Sequence, residues 1–372
     1  MVVGWLLAAG ALVSSGASGD TLRVDDQRWQ VQGDVERVER RGRRAFRLST
    51  GVATRRDVAF QDGTVEFDLE MSGERSFVYV RFRMESDREY EELYLRPHKG
   101  SLPDAIQYAP VYRGVSGWQL YHGPGFTASA PMPTGRWVHV RLVVRGDRAA
   151  LFLDGAAEPV MVIPRLARPS RSGHLSIRSF VPDGARGAET VFYSNIVVEP
   201  GVTPVDFGRY PVEPEAVPGV IARWEISEPF ANPEGHVTAL PDVYRGPWRA
   251  VVAEPSGLVV LDRHLDRPEG ARRAGVLARI HLQSEGAGVA RLNLGFSDAV
   301  TVFLGGRPIY SADAAYSQNF PRQEGLIGLF QSVVYVPVAP GRTEVVVAVT
   351  DVFGGWGLMG QLVEPAGLRV SP

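Results

Sequence analysis

Apolar and polar residues alternate along much of the chain, and this period of two predicts β-strands. The clearest case runs from Phe77 to Met84, and a second alternating stretch runs from Glu91 to Arg96. The first stretch is predicted to place Val78, Val80, Phe82 and Met84 on one face and Tyr79, Arg81 and Arg83 on the other. The second is predicted to place Leu93 and Leu95 on one face and Tyr94 and Arg96 on the other. One face of the predicted sheet is therefore apolar, and the other carries tyrosine and arginine.

Further strands are predicted on both sides of this pair, separated by turn residues. Thr64 to Met71 follows an Asp62-Gly63 turn, and Trp137 to Val144 is joined to Ala149 to Leu153 by a tight turn. Later strands are predicted in HLSIRSF, TVFYSNIVVEP, VTVFLGGRPIY and from Val345 to Thr350. The chain has 41 glycines and 27 prolines and no sustained helical period, which is typical of turn-rich β structure. We therefore predict an all-β fold made of jelly-roll β-sandwiches.

The length of 372 residues favours more than one domain. A Pro-rich segment without either period begins at Pro200, and its composition is typical of a stiff linker or an extended strap. We predict a signal peptide over residues 1–19, a β-sandwich over 20–199, a Pro-rich linker over 200–222 and a second β-sandwich over 223–372.

The N-terminal residues have the pattern of a secretory signal peptide. An apolar run from Val2 to Val13 is followed by small residues, with Ser15 and Ala17 in the small-x-small arrangement of a cleavage site. The run is too short to span a membrane. No Lys or Arg precedes it, and the alternative is a buried N-terminal segment. We expect a secreted or periplasmic protein with no membrane span in the mature chain.

Charge and cysteine content exclude several classes of function. The formal net charge of -2 gives no reason to expect binding to nucleic acid. Lysine occurs once, at Lys99, so arginine supplies nearly all the positive charge. The chain has no cysteine and therefore no disulfide, thiol nucleophile or Cys-ligated metal. It also has no serine nucleophile elbow, P-loop or dinucleotide-binding motif.

The segment from Phe77 to Gly123 concentrates side chains that combine a ring with a polar group. A sheet face that carries such rings beside arginine suits a sugar, because sugar hydroxyl groups need donors and sugar C–H faces pack on a ring. The alternative is a solvated outer face with ordinary β-favouring aromatic residues. The candidate ligand-binding residues are Arg83, Tyr94, Arg96, His98, Tyr108, Trp118, Gln119, Tyr121 and His122.

Four of these residues have a specific expected role in holding a sugar. Trp118 and Tyr121 are the candidates for stacking on its ring. Gln119 and Tyr108 are the candidates for orienting its hydroxyl groups. The alternative for Trp118 is a place in the hydrophobic core.

The charged candidates also have two interpretations each. Arg83 and Arg96 would hold a carboxylate or a pair of hydroxyl groups with their planar guanidinium groups, or would pair with a nearby aspartate or glutamate. A lone histidine such as His98 or His122 is more often a hydrogen-bonded structural residue than a base or a metal ligand. No short metal-ligand spacing between histidines is present.

Six motifs within about residues 22–199 point to a known superfamily, and they are DGTVEFDLE, FVYVRFR, YLRPH, WQLYHG, GRWVHVRLVV and LFLDG. In this order they resemble the concanavalin A-like lectin/glucanase superfamily, in its laminin-G-like branch, and within it the bacterial 3-keto-disaccharide hydrolase domains. The resemblance implies two curved antiparallel sheets, with any ligand groove on the concave sheet or on loops at its edge. Members include lectins, hydrolases, lyases and adhesion modules, so the fold does not decide the function.

The second half of the chain carries two further motifs, VTVFLGGRPIY and VPVAPGRTEVVVAVTDVFGGWGL. They resemble the galactose-binding-like jelly roll that occurs as an accessory domain beside glycosidases. The Gly-rich loop from Phe353 to Gly357 would either present Trp356 to solvent or use it to cap the sandwich.

The pattern Glu66-Phe67-Asp68-Leu69-Glu70 is similar to the catalytic strand of laminarinase-type glycosidases, where one glutamate is the nucleophile and another the acid/base. Alternation places the three carboxylates on one face. On a regular strand, positions four apart lie roughly 13 Å apart, whereas retaining hydrolysis needs carboxyl groups about 5 Å apart. We therefore interpret the pattern as a solvated face. Under the enzyme alternative, the candidate catalytic residues are Glu66, Glu70 and His122.

We predict a secreted carbohydrate-binding protein that recognises a glycan or a glycosylated surface through the aromatic and arginine face of its first sandwich. The first alternative is a glycoside hydrolase or 3-keto-disaccharide hydrolase, which requires carboxylates that converge in a groove with Trp118. The second is a non-catalytic protein-interaction module of the cell envelope, favoured if the aromatic residues are buried. No metal or cofactor is predicted. Lectin-like sandwiches often bind calcium, but no loop of this sequence is dense enough in Asp and Asn to be assigned as a calcium site. Catalytic activity, the identity of the sugar and the oligomeric state are not assigned from the sequence.

Overall fold

The computed structural model describes residues 19–182, 191–210, 217–317, 322–363 and 367–371. The predicted signal peptide lies outside these residues, apart from Gly19. Within them the chain forms 26 strands and four short 3-10 helices, so the all-β prediction is confirmed. The 3-10 helices span Pro97–Lys99, Phe207–Arg209, Asp242–Arg245 and Leu261–Arg263. None of the helices in the described ranges is long and apolar enough to cross a bilayer.

The first fourteen strands form one antiparallel sheet. They are β1 (Asp20–Thr21), β2 (Trp29–Arg40), β3 (Arg43–Phe60), β4 (Gly63–Met71), β5 (Phe77–Ser86), β6 (Glu89–Leu95), β7 (Ile106–Tyr112), β8 (Val115–Ser116), β9 (Thr127–Ala128), β10 (Trp137–Arg145), β11 (Arg148–Leu153), β12 (Met161–Ile163), β13 (Gly173–Phe180) and β14 (Val191–Pro200). Their order across the sheet is β12-β11-β10-β4-β14-β3-β13-β5-β6-β7-β8, and β1, β2 and β9 pair with β14, β3 and β7.

The long strand β3 lies at the centre of this sheet and divides it into two layers. Its residues 45–48 pair with β14, and its residues 51–60 pair with β13. Side chains from both sides of β3 meet in one core, including Phe67 of β4 and Phe82 of β5. The sheet therefore folds over itself as a sandwich, with β10, β4 and β14 in one layer and β13, β5, β6 and β7 in the other.

A β-bulge at Arg83 changes the faces predicted for β5. Arg83 has a φ of 49°, and the pairing of β5 with β6 shifts register between Phe82 and Ser86. An extra residue in one strand moves the side chains that follow it to the opposite side of the sheet. Met84 therefore packs with Tyr90 and Val111 instead of joining the core that contains Phe82, and the predicted face for Met84 is wrong. The alternation predicted for Leu93, Leu95 and Tyr94 is confirmed.

The segment after β14 packs on the first sandwich. Val205 and Phe207 bury their side chains against Val143 of β10 and Phe152 of β11. The hydroxyl group of Thr64 in β4 donates a hydrogen bond of 2.7 Å to the carbonyl of Val202. The first part of the predicted linker is therefore fixed to the outer surface of the sandwich, and its residues 211–216 lie outside the described residues.

The remaining strands form two more antiparallel sheets. They are β15 (Arg223–Ile226), β16 (Phe230–Ala231), β17 (Arg249–Val252), β18 (Leu258–Val260), β19 (Ala274–Ser284), β20 (Gly288–Ser297), β21 (Ala299–Leu304), β22 (Arg307–Asp313), β23 (Ser332–Val338), β24 (Gly341–Asp351), β25 (Gly357–Val363) and β26 (Leu368–Ser371). One sheet has the order β17-β15-β19-β24-β21-β22 and the other β18-β25-β20-β23. Both contribute to one core around Trp224 and Trp356, which makes a second sandwich.

The two sandwiches share buried contacts. Leu258, Val260 and Ile327 of the second half pack into the core of the first. Because apolar side chains from both halves exclude water at this junction, it is part of the folded core and not a solvated gap. The domain boundaries predicted near residues 199 and 223 stay predictions.

Candidate functional site

The candidate site lies on the outer side of the layer formed by β13, β5, β6 and β7. Side chains that alternate with the core residues of these strands point away from the core, because successive residues of a strand face opposite sides. We call this surface the outer aromatic face, and it carries Phe77, Tyr79, Arg81, Tyr90, Glu92, Tyr94, Gln107, Ser176, Arg178 and Phe180, with Trp118 packed beside Tyr79 and Tyr94.

Aromatic rings form a row across this face. The ring centroids of Phe77 and Phe180 are 6.0 Å apart, those of Phe77 and Tyr94 are 6.3 Å apart, and those of Tyr94 and Tyr79 are 5.0 Å apart. Trp118 packs against the same cluster. These separations are those of favourable aromatic pairs, so the rings hold one another in fixed orientations.

The row continues onto the second sandwich. Trp118 lies 5.8 Å from Tyr316 and 6.4 Å from Phe353, measured between ring centroids, and the latter two rings are 5.6 Å apart. Phe353 is 53% exposed. Trp356, in the same loop, is fully buried in the core of the second sandwich, so the ring that this loop presents to solvent is Phe353.

Glycine at position 354 lets this loop pass close to the first sandwich. Gly354 has a φ of +86°, and a Cβ atom there would lie 1.7 Å from the side-chain oxygen of Gln119. The Gln119 oxygen accepts a hydrogen bond of 2.9 Å from the backbone N–H of Gly355. Asp298 accepts hydrogen bonds from the backbone N–H groups of Val352, at 2.7 Å, and Phe353, at 2.6 Å. The exposed ring is therefore carried on a loop that is fixed from both sides.

Arg81 is held on the outer aromatic face by an ion pair and by rings. Its guanidinium lies 3.3 Å from the carboxylate of Glu92 and over the rings of Tyr90, at 4.5 Å, and Tyr79, at 5.7 Å. Glu92 also accepts a hydrogen bond of 2.7 Å from the hydroxyl of Ser116. The positive charge of Arg81 is therefore matched.

Arg178 is placed differently. Its guanidinium lies over the rings of Tyr79, at 4.9 Å, and Phe180, at 5.6 Å. Across the described residues it forms no hydrogen bond or ion pair with another side chain. The backbone carbonyls of Arg178 and Tyr79 both accept from the buried hydroxyl of Tyr193, at 2.8 and 3.0 Å, which fixes this pair of residues from the core side.

Two predicted ligand-binding residues, Tyr94 and Arg96, take part in a hydrogen-bond network at the edge of this face. The Arg96 guanidinium donates to the hydroxyl of Tyr94 at 2.8 Å and to the amide oxygen of Gln107 at 2.5 Å. The Gln107 amide nitrogen donates to the carbonyls of Trp118 and Tyr121, both at 2.6 Å. This network positions the turn that carries Trp118.

Three other predicted ligand-binding residues are buried in the structure. The hydroxyl of Tyr108 donates to Glu91, and that of Tyr121 donates to Glu254 of the second half, both at 2.6 Å. The Gln119 amide nitrogen donates to Asp298 at 3.3 Å. Because Tyr108, Gln119 and Tyr121 have almost no exposed surface, they leave no atom for a ligand to contact. Gln119 and Tyr121 instead link the two sandwiches, and Tyr108 is bonded within the first.

Arg83 lies apart from the other predicted residues. It is 2% exposed and donates to the carbonyls of Gln61, at 2.7 Å, and Gly146, at 2.6 Å, and to the carboxylate of Asp62 at 2.8 Å. These acceptors belong to the turns that precede β4 and join β10 to β11. The bulge in β5 turns Arg83 towards them, so it ties turns together and does not reach the outer aromatic face.

The two histidines are half-buried and structural in their contacts. The Nε2 atom of His122 lies 2.6 Å from the carbonyl of Ile327, to which it donates. The ring of His98 packs edge-on against Phe77 at 5.5 Å. Burial, together with nearby cationic side chains, lowers the pKa of His98, so its imidazole is neutral at physiological pH.

The candidate catalytic carboxylates lie on the other side of the sandwich. Glu66, Asp68 and Glu70 all face outwards from β4, as alternation predicted, whereas Trp118 lies against the outer side of the opposite layer. Glu70 forms ion pairs with Arg40, at 2.8 Å, and Arg41, at 2.9 Å. The β4 carboxylates therefore do not converge in a groove with Trp118.

Local partners occupy these carboxylates. Burial opposes ionisation of Glu70, but the adjacent Arg40 and Arg41 guanidiniums outweigh it and lower the pKa. Asp68 contacts Arg43 at 2.6 Å and His139 at 2.9 Å. Over the described ranges, no three His, Asp or Glu side chains form a group that could hold a metal ion.

Sequence reasoning missed some residues of the outer aromatic face. Arg178 and Phe180 alternate in the predicted strand HLSIRSF, so their shared face could have been assigned from the period of two. Tyr316 and Phe353 carry no such signal, because their contact with Trp118 joins positions that are distant in the sequence.

No family model matches this chain, and a search of curated proteins finds no match. Solved structures similar to it include a carbohydrate binding module (CBM66) from Bacillus subtilis, at 15% identity and a TM-score of 0.33, covering 45% of this chain and 93% of the module. A native glycosidic hydrolase is similar at 14% identity and a TM-score of 0.36, covering 51% of this chain and 99% of its own. The β-glucanase of Bacillus licheniformis is similar at 9% identity and a TM-score of 0.34, covering 50% and 99%. At these identities and TM-scores the similarities assign no superfamily, activity or ligand to this chain.

Proposed function

We propose that the protein binds carbohydrate on the outer aromatic face. The observation that carries this proposal is the row of rings from Phe180 to Phe353. Tyr79 and Tyr94 in the row are buried and support it, whereas Phe77, Phe180, Trp118 and Phe353 keep exposed surface. The C–H faces of a sugar ring pack favourably on aromatic rings, and a row of rings offers a track for successive sugars. The exposed ring of Phe353 and the partly exposed ring of Trp118 are the main contact surfaces.

Polar groups beside the rings match the second need of a sugar, which is hydrogen bonding to its hydroxyl groups. Arg81 and Arg178 lie directly against the rings, and arginine presents several donors in a fixed plane. The hydroxyl of Tyr79 forms no hydrogen bond with another described residue, and burial raises its pKa, so it stays a neutral donor. Apolar rings with flanking donors are the composition that sugar recognition requires.

The second sandwich contributes to the proposed site. Its residues Tyr316 and Phe353 extend the row of rings beyond the first sandwich, and the buried contacts at the junction hold them there. A ligand of several sugars would therefore contact both sandwiches, which gives the second one a binding role in addition to a structural one.

The structure gives less support to the hydrolase alternative. Glu66 and Glu70 lie on the opposite side of the sandwich from Trp118, and Glu70 is fully engaged by Arg40 and Arg41. Retaining and inverting glycosidases both need two carboxyl groups on either side of one bond. The candidate carboxylates do not meet this requirement beside the rings.

Two observations favour the protein-interaction alternative as a second candidate. Tyr79, Tyr90 and Tyr94 of the outer aromatic face are buried, which is what that alternative predicts. Strand β23 pairs only with β20 among the described strands, and Tyr335 on it is 64% exposed. Its neighbours Val289 and Val333 are exposed as well. An edge strand with exposed apolar side chains can add a further strand from another chain. Sedimentation of the wild type and of Tyr335→Glu tests this candidate. If the chain self-associates through β23, the wild type sediments as an oligomer, and the variant, which carries a charge on this edge strand, does not.

The test of the proposed function is a glycan array probed with the full chain, with and without calcium. We expect binding to a limited set of oligosaccharides. Trp118→Ala should abolish this binding, and Tyr335→Ala, which removes an exposed ring outside the face, should leave it unchanged. A blank array in both conditions, or binding that survives in Trp118→Ala, would overturn the proposal. Circular dichroism of each variant checks that the fold is retained.

A further inference from the structure

Some charged side chains on and beside the outer aromatic face have an oppositely charged partner, and one does not. Glu92 is paired with Arg81, and Asp87, at the turn between β5 and β6, is paired with Arg56 at 2.6 Å. Arg178 has no carboxylate partner anywhere in the described part of the chain. Among the described residues, the face therefore carries one positive charge without a paired carboxylate.

Arg178 is set among groups that favour binding of an anion. Its guanidinium lies over two rings, which shield it from water on that side and strengthen its electrostatic interactions. A guanidinium presents pairs of N–H groups in one plane, and this arrangement matches the two oxygens of a carboxylate. The contacts to Tyr79 and Phe180 hold that plane beside the rings on which a sugar would stack.

A second unmatched polar group lies next to Arg178. Ser176 is two residues away on the same face of β13, paired with Arg81 of β5, and is fully buried. Its hydroxyl has no hydrogen-bond partner among the described residues. A buried hydroxyl without a partner is unfavourable, so a second polar group beside Arg178 is left unsatisfied by the described residues.

Resting on the proposed function, we propose that the sugar recognised on the outer aromatic face is a hexuronic acid, and that Arg178 binds its carboxylate. A neutral sugar would leave the charge of Arg178 unmatched. A uronic acid places a planar carboxylate on the same ring that stacks, so one residue of the ligand satisfies both the rings and the guanidinium. A sulfate ester also offers a guanidinium a pair of oxygens, and the binding experiment separates the two anions.

The test is titration calorimetry of the full chain with oligogalacturonates and oligomannuronates, with the corresponding neutral oligosaccharides, and with their sulfated forms. We expect a uronate to bind about tenfold more tightly than its neutral counterpart, which corresponds to about 1.4 kcal/mol. Arg178→Gln should remove this preference, so that the uronate and its neutral counterpart bind the variant with equal affinity. Arg178→Lys should recover only part of it, because lysine restores the charge without the planar pair of donors.

Arg145→Gln is the matched control, since it removes the same charge from an exposed residue at the end of β10, in the other layer. It should keep the preference for uronate. Equal binding of neutral and acidic sugars, or an unchanged preference in Arg178→Gln, would overturn this inference and leave the proposed function standing. Preference for sulfated sugars over uronates would overturn the carboxylate assignment. Absence of binding to every sugar would overturn both proposals.

Discussion

The indole ring of Trp118 lies edge-on to the exposed ring of Phe353, with centroids 6.4 Å apart. Trp118 belongs to the first sandwich and Phe353 to the second, and the buried junction between the sandwiches sets this distance. The proposed sugar-binding surface is therefore shared between the two halves of the chain, and neither half forms it alone.

Removal of the Phe353 ring should weaken glycan binding without unfolding the protein. We expect Phe353→Ala to raise the Kd for a bound oligosaccharide by about fivefold to tenfold, because a stacked ring is worth about 1–1.4 kcal/mol. Its melting temperature should change little, since the ring is 53% exposed. Calorimetric titration and a thermal melt measure both quantities, and an unchanged Kd would exclude Phe353 from the site.

The carboxylates of β4 should affect stability and not sugar binding. Glu70→Gln leaves Arg40 and Arg41 without a counter-charge and should lower the free energy of unfolding by about 1–2 kcal/mol, moderated by the solvent that reaches both arginines. Glu66→Gln is the control and should be close to neutral, because the Glu66 carboxylate lies 3.6 Å from the Nε2 atom of His139 and forms no ion pair with a described arginine. Denaturant titration measures stability. Loss of glycan binding in Glu66→Gln would contradict this account and show that the β4 carboxylates belong to the binding site.

The loop that carries Phe353 should not accept a side chain at position 354. Gly354→Ala places Cβ against the oxygen of Gln119 in a backbone conformation that disfavours L-residues, so we expect a loss of about 1–3 kcal/mol in stability. Glycan binding should weaken as well, because the loop must move. Gly286→Ala is the matched control, since its Cβ would meet nothing within 4 Å and its φ is not positive. Equal thermal melts for the two variants would contradict this account of the junction.

Burial of Glu91 should make stability depend on pH. The side chain is fully buried and accepts hydrogen bonds from Tyr108, at 2.6 Å, and the backbone of Arg168, at 3.1 Å. Burial raises the pKa of Glu91 to about 7, so between pH 5 and 7 the folded state holds a proton that the unfolded state has lost. Stability from this group is present at low pH and is lost as the pH rises through 7.

The permanently neutral variant Glu91→Gln does not share this loss. Its free energy of unfolding relative to the wild type should rise by about 1.4 kcal/mol per pH unit over this range. Asp262 and Asp298 are also buried carboxyl groups with raised pKa values, of about 7 and about 6, but they titrate in both proteins and cancel in the difference. Urea denaturation at pH 5, 6 and 7 provides the measurement. A difference that stays flat with pH would show that Glu91 is ionised in the folded state throughout.

Periodicity predicted much of the first sandwich. The faces of Leu93, Leu95 and Tyr94 and the shared outward facing of the β4 carboxylates all follow from the period of two, because a regular strand leaves each side chain only two directions. The same rule failed after Arg83, since nothing in the local sequence marks the bulge that reverses Met84.

The candidate site was less predictable than the fold. Alternation assigns Tyr108 to a face but does not say whether that face is covered, and here the core of the first sandwich covers it. Tyr121 lies outside the strands, where no period applies, and its hydroxyl is bonded to Glu254 of the second half. Gln119 is buried for the same reason, through its contact with Asp298. Contacts between positions so distant in sequence follow from the packing of the two sandwiches, which a single sequence does not encode in any local pattern.

Hydroxyl-radical footprinting tests the central claim most directly, because it reports the solvent exposure of individual side chains. The full chain is labelled with and without a saturating concentration of the glycan identified by the array. We predict that the ligand protects Trp118, Phe353 and Phe77 and leaves Trp137 and His139, on the other side of the first sandwich, unchanged. Protection of Trp137 and His139 with no change at Trp118 and Phe353 would contradict the account.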